Sequence, residues 1–415
     1  MVANQGTPDD GGPEPPHSRP PLAEMTAEEH AAELARLADA ERESAALAKR
    51  IAADALGGRV HVGLVRWLVF AVAGAILALL LQHPDAAIML AAAALFALTQ
   101  SWDVRDRARA GELAGEPALE PGAVGLSLRM SVPIAVQVLA TLAYIGLGSY
   151  AHSLAPTAGH VGAERWCWAA AAACMAMTIP ALARPITQSL LPYATWSYTA
   201  RLSASIALAL LLLPVPMRLV IDEMIDLLSG QPLVDVGGLV SGLVGEVAFA
   251  AAAIGLWVAR DARAARERLG LTAMRGGHVV VAVVGLGLVI ALNSGMEALE
   301  HAHFPTLWAA DQEMGRLIAG DLSLAASILL GVSAGVGEEL LVRGALQPRA
   351  GLFWASVLFA AGHVQYTWFG MLTILLLGVL LGIVRARTNT TTAIVVHALY
   401  DIIAVISANA APASP

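Results

Sequence analysis

The last third of the 415-residue chain contains six ionisable side chains whose types and spacing could do chemistry together. These residues are Glu338, Glu339, Arg343, His363, His397 and Asp401. A carboxylate with two imidazoles can position and deprotonate a water molecule, or hold a divalent metal ion with one coordination position left open. The same side chains could also form a polar network that joins membrane helices or binds a transported ion.

Helical spacing divides these residues into pairs. Glu339 and Arg343 are four residues apart with the acid first, which is the favourable order for an ion pair on one helix face. Glu338 points about 100° away from Glu339 and therefore faces a different partner. His397 and Asp401 are also four residues apart, so Asp401 can orient His397 or hold a polar group beside it.

Two known protease motifs bear on this sequence. The zinc-binding pattern H-E-x-x-H is absent, because no histidine is followed by glutamate. The stretch from Gly331 to Gly335 matches G-x-S-x-G around Ser333, but a nucleophile elbow needs a preceding strand. Here the stretch lies inside an apolar helix, so the two glycines are interpreted as a small-residue packing face.

Composition indicates which elements must position these residues. The chain is 57% hydrophobic and 14% charged, with a mean hydropathy of +0.66. These values exclude a water-soluble enzyme and a nucleic-acid binder, and predict an all-α polytopic membrane protein. Cys167 and Cys174 are seven residues apart in one apolar run, about two helical turns, so no disulfide is expected between them.

Long apolar runs predict about eleven transmembrane helices, give or take two. The predicted spans are 62–82, 86–101, 130–150, 166–183, 201–219, 238–259, 278–296, 323–342, 351–366, 370–386 and 391–408. The gap at 297–322 is long enough for an interfacial helix, roughly Met296 to Ile318. With a cytoplasmic N-terminus, every Lys and Arg except Arg165, Arg218 and Arg316 falls on the cytoplasmic side. This bias supports the orientation.

The chain is predicted to have three parts. Residues 1–60 form a cytoplasmic tail, disordered over 1–23 and helical over 26–56. Residues 61–277 form accessory transmembrane helices, and residues 278–408 form the core that carries the six ionisable side chains.

Residues 278–408 resemble the CAAX prenyl protease and bacteriocin-processing (CPBP, or Abi) family of intramembrane proteases. The first family motif, E-E-x-x-x-R, stands here as Glu338 to Arg343. The second, F-x-x-x-H, stands as Phe359 to His363, and the third, H-x-x-x-N or H-x-x-x-D, stands as His397 to Asp401. Each motif alone is weak, but three in order, each in a separate apolar helix, are specific.

The resemblance implies an intramembrane endopeptidase with named roles for these positions. Glu338 and His363 match the pair that activates the attacking water. His397 and Asp401 match the pair proposed to stabilise the oxyanion, while Glu339 and Arg343 match supporting positions. Asp401 departs from the asparagine of the prenyl proteases, and an ionised aspartate cannot donate to an oxyanion. We expect it to be protonated there or to orient His397.

The expected substrate is a membrane-associated protein or peptide, the lipid bilayer is the other partner, and no nucleic acid is involved. A glutamic-type mechanism without a cofactor is favoured. The alternative is a divalent metal held by Glu338, His363 and His397. The expected location is a bacterial plasma membrane. Two other functions fit the residues: a non-catalytic, immunity-like member of the same fold that binds a partner, and an ion-coupled transporter.

Depth along the helices leaves one inconsistency. Glu338 lies about 22 Å into its helix from the outer side, and His397 about 10 Å into its helix from the cytoplasmic side. Both are then in the cytoplasmic half. His363 would lie about 18 Å from the cytoplasmic side if its helix began at Gly351, which is too far outward. The 351–366 segment is therefore expected to be tilted or only partly spanning.

Overall fold

The computed structural model describes residues 26–109, 128–154, 157–218, 220–221, 234–320 and 322–410. Within these ranges the chain is almost entirely helical and contains no strand. The all-α prediction is confirmed. The chain divides into two compact units between Leu56 and Gly57. The predicted disordered segment 1–23 lies outside the described residues, and the predicted division at residue 277 stays a prediction.

The described helices are numbered here along the chain. They are α1 (Ala27–Leu80), α2 (Pro84–Arg109), α3 (Ser131–Ser153), α4 (Ala158–Ala176), α5 (Pro180–Leu190), α6 (Tyr198–Leu212), α7 (Val236–Ala253), α8 (Ala262–Arg268), α9 (Gly276–His303), α10 (Pro305–Ala319), α11 (Leu324–Glu339), a π-helix (Leu340–Leu346), α12 (Gln347–Ala361), α13 (Trp368–Arg387) and α14 (Thr390–Ala410), with a 3₁₀ turn at Leu128–Met130.

Eight helical segments in the described part of the chain are long and apolar enough to cross a bilayer. They lie in α1, α2, α3, α7, α9, the continuous stretch Leu324–Ala361, α13 and α14. A ninth crossing results if α4 and α5 form one span, since the two helices meet at a 105° bend. The higher count is within the two-span tolerance of the sequence prediction.

Local breaks explain where the predicted spans differ from the helices. The 166–183 run is interrupted before Pro180, which begins α5. The 201–219 run contains only the 15-residue helix α6, which is short for a crossing. The helix expected from Met296 to Ile318 is instead the end of α9 and a separate α10, divided at Phe304 before Pro305.

Gly351 reverses the chain inside the Leu324–Ala361 stretch. Its φ of 77° and ψ of 174° are not helical, and a positive φ of this kind favours glycine. Val342, before the break, packs with Ala355 and Phe359, after it. The arm after Gly351 therefore returns alongside the π-helix, so that α11, the π-helix and α12 form a helical hairpin.

Small residues bring α11 close to α14. A side-chain carbon at Gly331 would lie 2.8 Å from the Ala398 carbonyl oxygen, and one at Gly335 would lie 2.7 Å from the Ala398 nitrogen. The predicted packing face of these two glycines is confirmed. Ser333, between them, donates its hydroxyl to the Leu239 carbonyl at 2.9 Å, so it joins α11 to α7.

Candidate functional site

Glu339 and Arg343 form a buried ion pair where α11 continues into the π-helix. Their closest atoms, Arg343 Nε and Glu339 Oε2, are 3.4 Å apart, and both side chains are 0% exposed. Arg343 also donates to the Gly378 carbonyl of α13 at 3.1 Å, and its guanidinium lies 4.7 Å from the centre of the Phe359 ring. The i, i+4 ion pair expected from the sequence is present, and it also ties the hairpin to α13.

Glu339 has a second partner that helical spacing could not reveal. Its Oε1 lies 3.0 Å from Nδ1 of His397, a residue of α14. A carboxylate paired with arginine only accepts hydrogen bonds, so His397 donates from Nδ1. Glu339 thus connects Arg343 to His397 and fixes which edge of the imidazole faces the site.

His363 lies in the turn that follows α12. Its Nδ1 donates to the Phe359 carbonyl at 2.8 Å, because a carbonyl can only accept. The end of this turn is held by Thr367, whose backbone N–H and hydroxyl both donate to Asp311 of α10 at 2.6 Å. The imidazole is thereby oriented with Nε2 toward Glu338.

Glu338 points away from Glu339, as the one-residue offset predicted, and it faces the two imidazoles. Its Oε2 lies 3.9 Å from Nε2 of His363 and 3.9 Å from Nε2 of His397. These separations are too long for direct hydrogen bonds, but one water molecule can bridge groups at that distance. Oε2 is buried and has no hydrogen-bond partner among the described residues, and the side chain is 25% exposed.

Asp401 lies beside His397, one helical turn further along α14. Its Oδ2 is 3.4 Å from His397 Nε2. The imidazole therefore has a carboxylate near each ring nitrogen, with Glu339 at Nδ1 and Asp401 at Nε2. Both contacts are satisfied when the imidazole carries two protons, or when Asp401 itself carries the proton that points at Nε2.

The four predicted catalytic residues and the two supporting residues are thus brought to one place. Among the described residues, no group of three or more His, Cys, Asp or Glu side chains is arranged closely enough to hold a metal ion. The set proposed for the metal-dependent alternative, Glu338, His363 and His397, does not meet that requirement as it stands.

Sequence reasoning missed one carboxylate beside this site. Glu246 lies in the middle of α7, and a side chain at Gly337 would collide with its carboxylate. It interacts electrostatically with Glu338 and His397. A lone acid in an apolar span is itself a functional signal, because a charge there costs at least about 2.5–3.5 kcal/mol. Glu246 belongs to no recognisable motif, so that cost was the only available signal.

Burial also affects a tyrosine in the turn after His363. Desolvation raises the pKa of Tyr366 to about 12, and the nearby Asp401, Asp311 and Glu338 add to the shift. Its hydroxyl therefore stays protonated at neutral pH, so a neutral phenol borders the carboxylates.

Comparison with known proteins supports the resemblance seen in the three motifs. Residues 320–403 match the family model described as Type II CAAX prenyl endopeptidase Rce1-like, which covers about a fifth of the chain. The uncharacterized protein YpbD of Bacillus subtilis (strain 168) is 29% identical over 158 residues, which make up 37% of this chain and 80% of that protein. No solved structure matches.

All three motifs fall within the matched segment, and their side chains meet at one site between α11, α12 and α14. Most of the chain, including α1 to α9, lies outside the match. Residues 320–403 of this integral membrane protein are therefore similar to the Type II CAAX prenyl endopeptidase Rce1-like family, which is part of the CPBP family.

Proposed function

We propose that the protein is an intramembrane endopeptidase that cleaves a membrane-associated protein or peptide with a water molecule activated by Glu338 and His363. One observation carries the proposal: Glu338 Oε2 lies 3.9 Å from Nε2 of both His363 and His397. A water molecule that bonds to Glu338 is then also within reach of an imidazole. General acid–base catalysis needs this arrangement of a base and a reacting proton.

In the proposed reaction, Glu338 takes a proton from the water as its oxygen attacks the carbonyl carbon of the scissile bond. The carbonyl electron pair moves onto oxygen and forms a tetrahedral oxyanion beside His397. When the intermediate collapses, the C=O double bond re-forms and the C–N bond breaks. Glu338 returns its proton to the leaving nitrogen, so the products are a carboxylic acid and an amine.

Asp401 acts through His397 in this scheme. An ionised Asp401 cannot donate to the oxyanion, but it can hold the imidazolium at Nε2 from 3.4 Å. Glu339 holds the other ring nitrogen at 3.0 Å. With a carboxylate at each nitrogen, His397 can present positive charge to the oxyanion without turning away from it.

The scheme routes no step through a metal ion. Glu339 and Arg343 act as positioning residues, since neither side chain has any exposed surface. We place the site in the cytoplasmic half of the membrane on the basis of the Lys and Arg distribution along the chain.

The test compares membrane proteomes of cells that produce the wild-type protein, Glu338→Ala or Ser333→Ala at equal levels. We expect one or more membrane proteins to lose a fragment in Glu338→Ala, because loss of a general base slows a reaction by about 10²–10⁴-fold. Ser333→Ala should cleave like the wild type. Equal cleavage by Glu338→Ala, or loss of cleavage in Ser333→Ala, would contradict the proposal. An unchanged proteome with ion-dependent uptake into proteoliposomes would favour a transporter.

A further inference from the structure

Glu246 occupies a position that packing alone does not explain. It lies within α7, outside the segment matched to the protease family. Its carboxylate is partly buried among apolar helices, and no side chain in the described part of the chain donates a hydrogen bond to it. An unpaired carboxylate in such surroundings is costly, so it either takes up a proton or pairs with a cation from outside the described side chains.

The contact between α7 and α11 directs this carboxylate toward the site. Ser333 bonds to the Leu239 carbonyl and holds the two helices together. One turn after Ser333, Gly337 leaves the space that the Glu246 carboxylate occupies, since any side chain at 337 would collide with it. Glu246 therefore lies against the backbone immediately before Glu338.

The groups around Glu246 do not donate a hydrogen bond to its carboxylate either. Oε2 of Glu338 is buried without a hydrogen-bond partner among the described residues. Arg343 already pairs with Glu339. His397 is engaged by Glu339 and Asp401. No described cation is left to pair with Glu246.

We propose that Glu246 is a specificity-determining residue that binds a positively charged side chain, Lys or Arg, of the substrate close to the scissile bond. The inference rests on the proposed endopeptidase function and narrows its substrate class. A Lys or Arg side chain suits this position because its apolar stem can lie along the membrane helices while its charged end reaches the carboxylate. A charge-assisted hydrogen bond there would also hold the peptide beside Glu338.

The test uses full-length protein in proteoliposomes and fluorogenic peptides anchored by an acyl chain. In one series of peptides, Lys is placed in turn at each position around the fluorophore and its quencher. The matched series places acetyl-lysine there, which keeps the stem and removes the charge. The measured quantity is the ratio of kcat/KM for the Lys peptide to that for the acetyl-lysine peptide. Because both kcat/KM values come from the same enzyme variant, their ratio does not depend on the overall activity of that variant.

We expect the wild type to prefer Lys by at least about tenfold at one position, in the range of a buried interfacial charge pair. Glu246→Gln, which keeps the side-chain volume, should reduce the ratio to about one. Gly337→Ala should also reduce it, because the added carbon displaces the carboxylate. Glu246→Lys should reverse the preference toward a peptide with Glu at that position. Asp103→Asn, a change to a buried carboxylate of α2 that bonds to Thr199, should keep the wild-type ratio.

Cleavage of Lys and acetyl-lysine peptides at equal rates by the wild type would overturn the inference and leave the endopeptidase function intact. So would a preference that survives in Glu246→Gln. Failure of the wild type to cleave any peptide would count against the proposed function and the inference together. If the Glu246→Gln variant folds, its ratio of kcat/KM for the Lys and acetyl-lysine peptides decides the test. If that variant does not fold, the ratio of Glu246→Asp, which retains the charge, should stay well above one.

Discussion

Arg343→Ala is expected to destabilise the protein strongly, because it leaves Glu339 without its cation in a fully buried position. Neither side chain has exposed surface, and their closest atoms are 3.4 Å apart. Removing one partner of a buried ion pair costs about 3–5 kcal/mol. The substitution also removes the contact between the guanidinium and the Phe359 ring, and the hydrogen bond to the Gly378 carbonyl.

The lower end of that range applies here, because His397 keeps one oxygen of Glu339 hydrogen-bonded at 3.0 Å. We therefore expect a loss of about 3 kcal/mol, which changes the folding equilibrium by roughly a hundredfold. The double change Glu339→Gln with Arg343→Met removes both charges and keeps an amide oxygen that His397 can donate to. It should recover most of the stability, because neutral replacements of a buried pair are often close to neutral in free energy.

Unfolding in SDS titrations of the purified protein in detergent gives the free energies for the wild type, Arg343→Ala, the two single variants Glu339→Gln and Arg343→Met, and their double variant. Arg316→Ala is the control, because its pair with Glu313 at 2.6 Å is exposed and should contribute less than about 1 kcal/mol. The reasoning is refuted if Arg343→Ala costs no more than Arg316→Ala. It is also refuted if the losses of the two single variants simply add in the double variant.

Four further outcomes follow from the site and its packing. Asp401→Asn should keep substantial activity in the presence of a chelator, whereas Asp401→Ala should lose about 10²–10³-fold; an inactive Asn variant with a chelator-sensitive wild type would instead indicate a metal. Ser333→Ala should lose about 1 kcal/mol of stability in SDS titrations, which is the value of one hydrogen bond. Its activity should equal that of the wild type. Gly335→Val should inactivate the enzyme and lower its melting temperature, because the added carbons collide with the Ala398 backbone. Burial raises the pKa of Tyr366 from 10.0 to about 12. As the pH rises, the tyrosine of the unfolded state therefore loses its proton first, and the stability of the fold should fall between about pH 10 and 12. Thermal melts at a series of pH values should show a smaller loss for Tyr366→Phe.

Local spacing predicted the parts of the site that lie on one helix. The four-residue separation of Glu339 and Arg343 predicted their ion pair, and the one-residue offset predicted that Glu338 faces elsewhere. Hydropathy found most of the spans because the cost of leaving backbone groups unbonded in lipid enforces long apolar helices. The bond between Glu339 and His397 joins different helices, so no spacing along the chain could reveal it.

The place of the turn between the predicted spans 323–342 and 351–366 was the main feature that hydropathy could not predict. The hydropathy of an apolar run is the same whether the helix continues, bends or turns back. The segment with His363 was therefore expected to be tilted or only partly spanning. The structure places that turn at Gly351 and brings His363 opposite Glu338. Glu246 was overlooked because its position beside the site depends on the glycine at 337 in another helix.

The lengths of the two arms of the hairpin around Gly351 place Glu338 and His363 opposite each other in the candidate site. Glu338 stands 13 positions before the turn and His363 stands 12 positions after it, so both return to the same height. Adding or deleting one residue in either arm would move that arm's side chain by about 1.5 Å and rotate it by about 100°. The arm lengths are therefore expected to change together during evolution. Matched insertions of about two whole helical turns in both arms should be tolerated, whereas a single-residue insertion on one side should not.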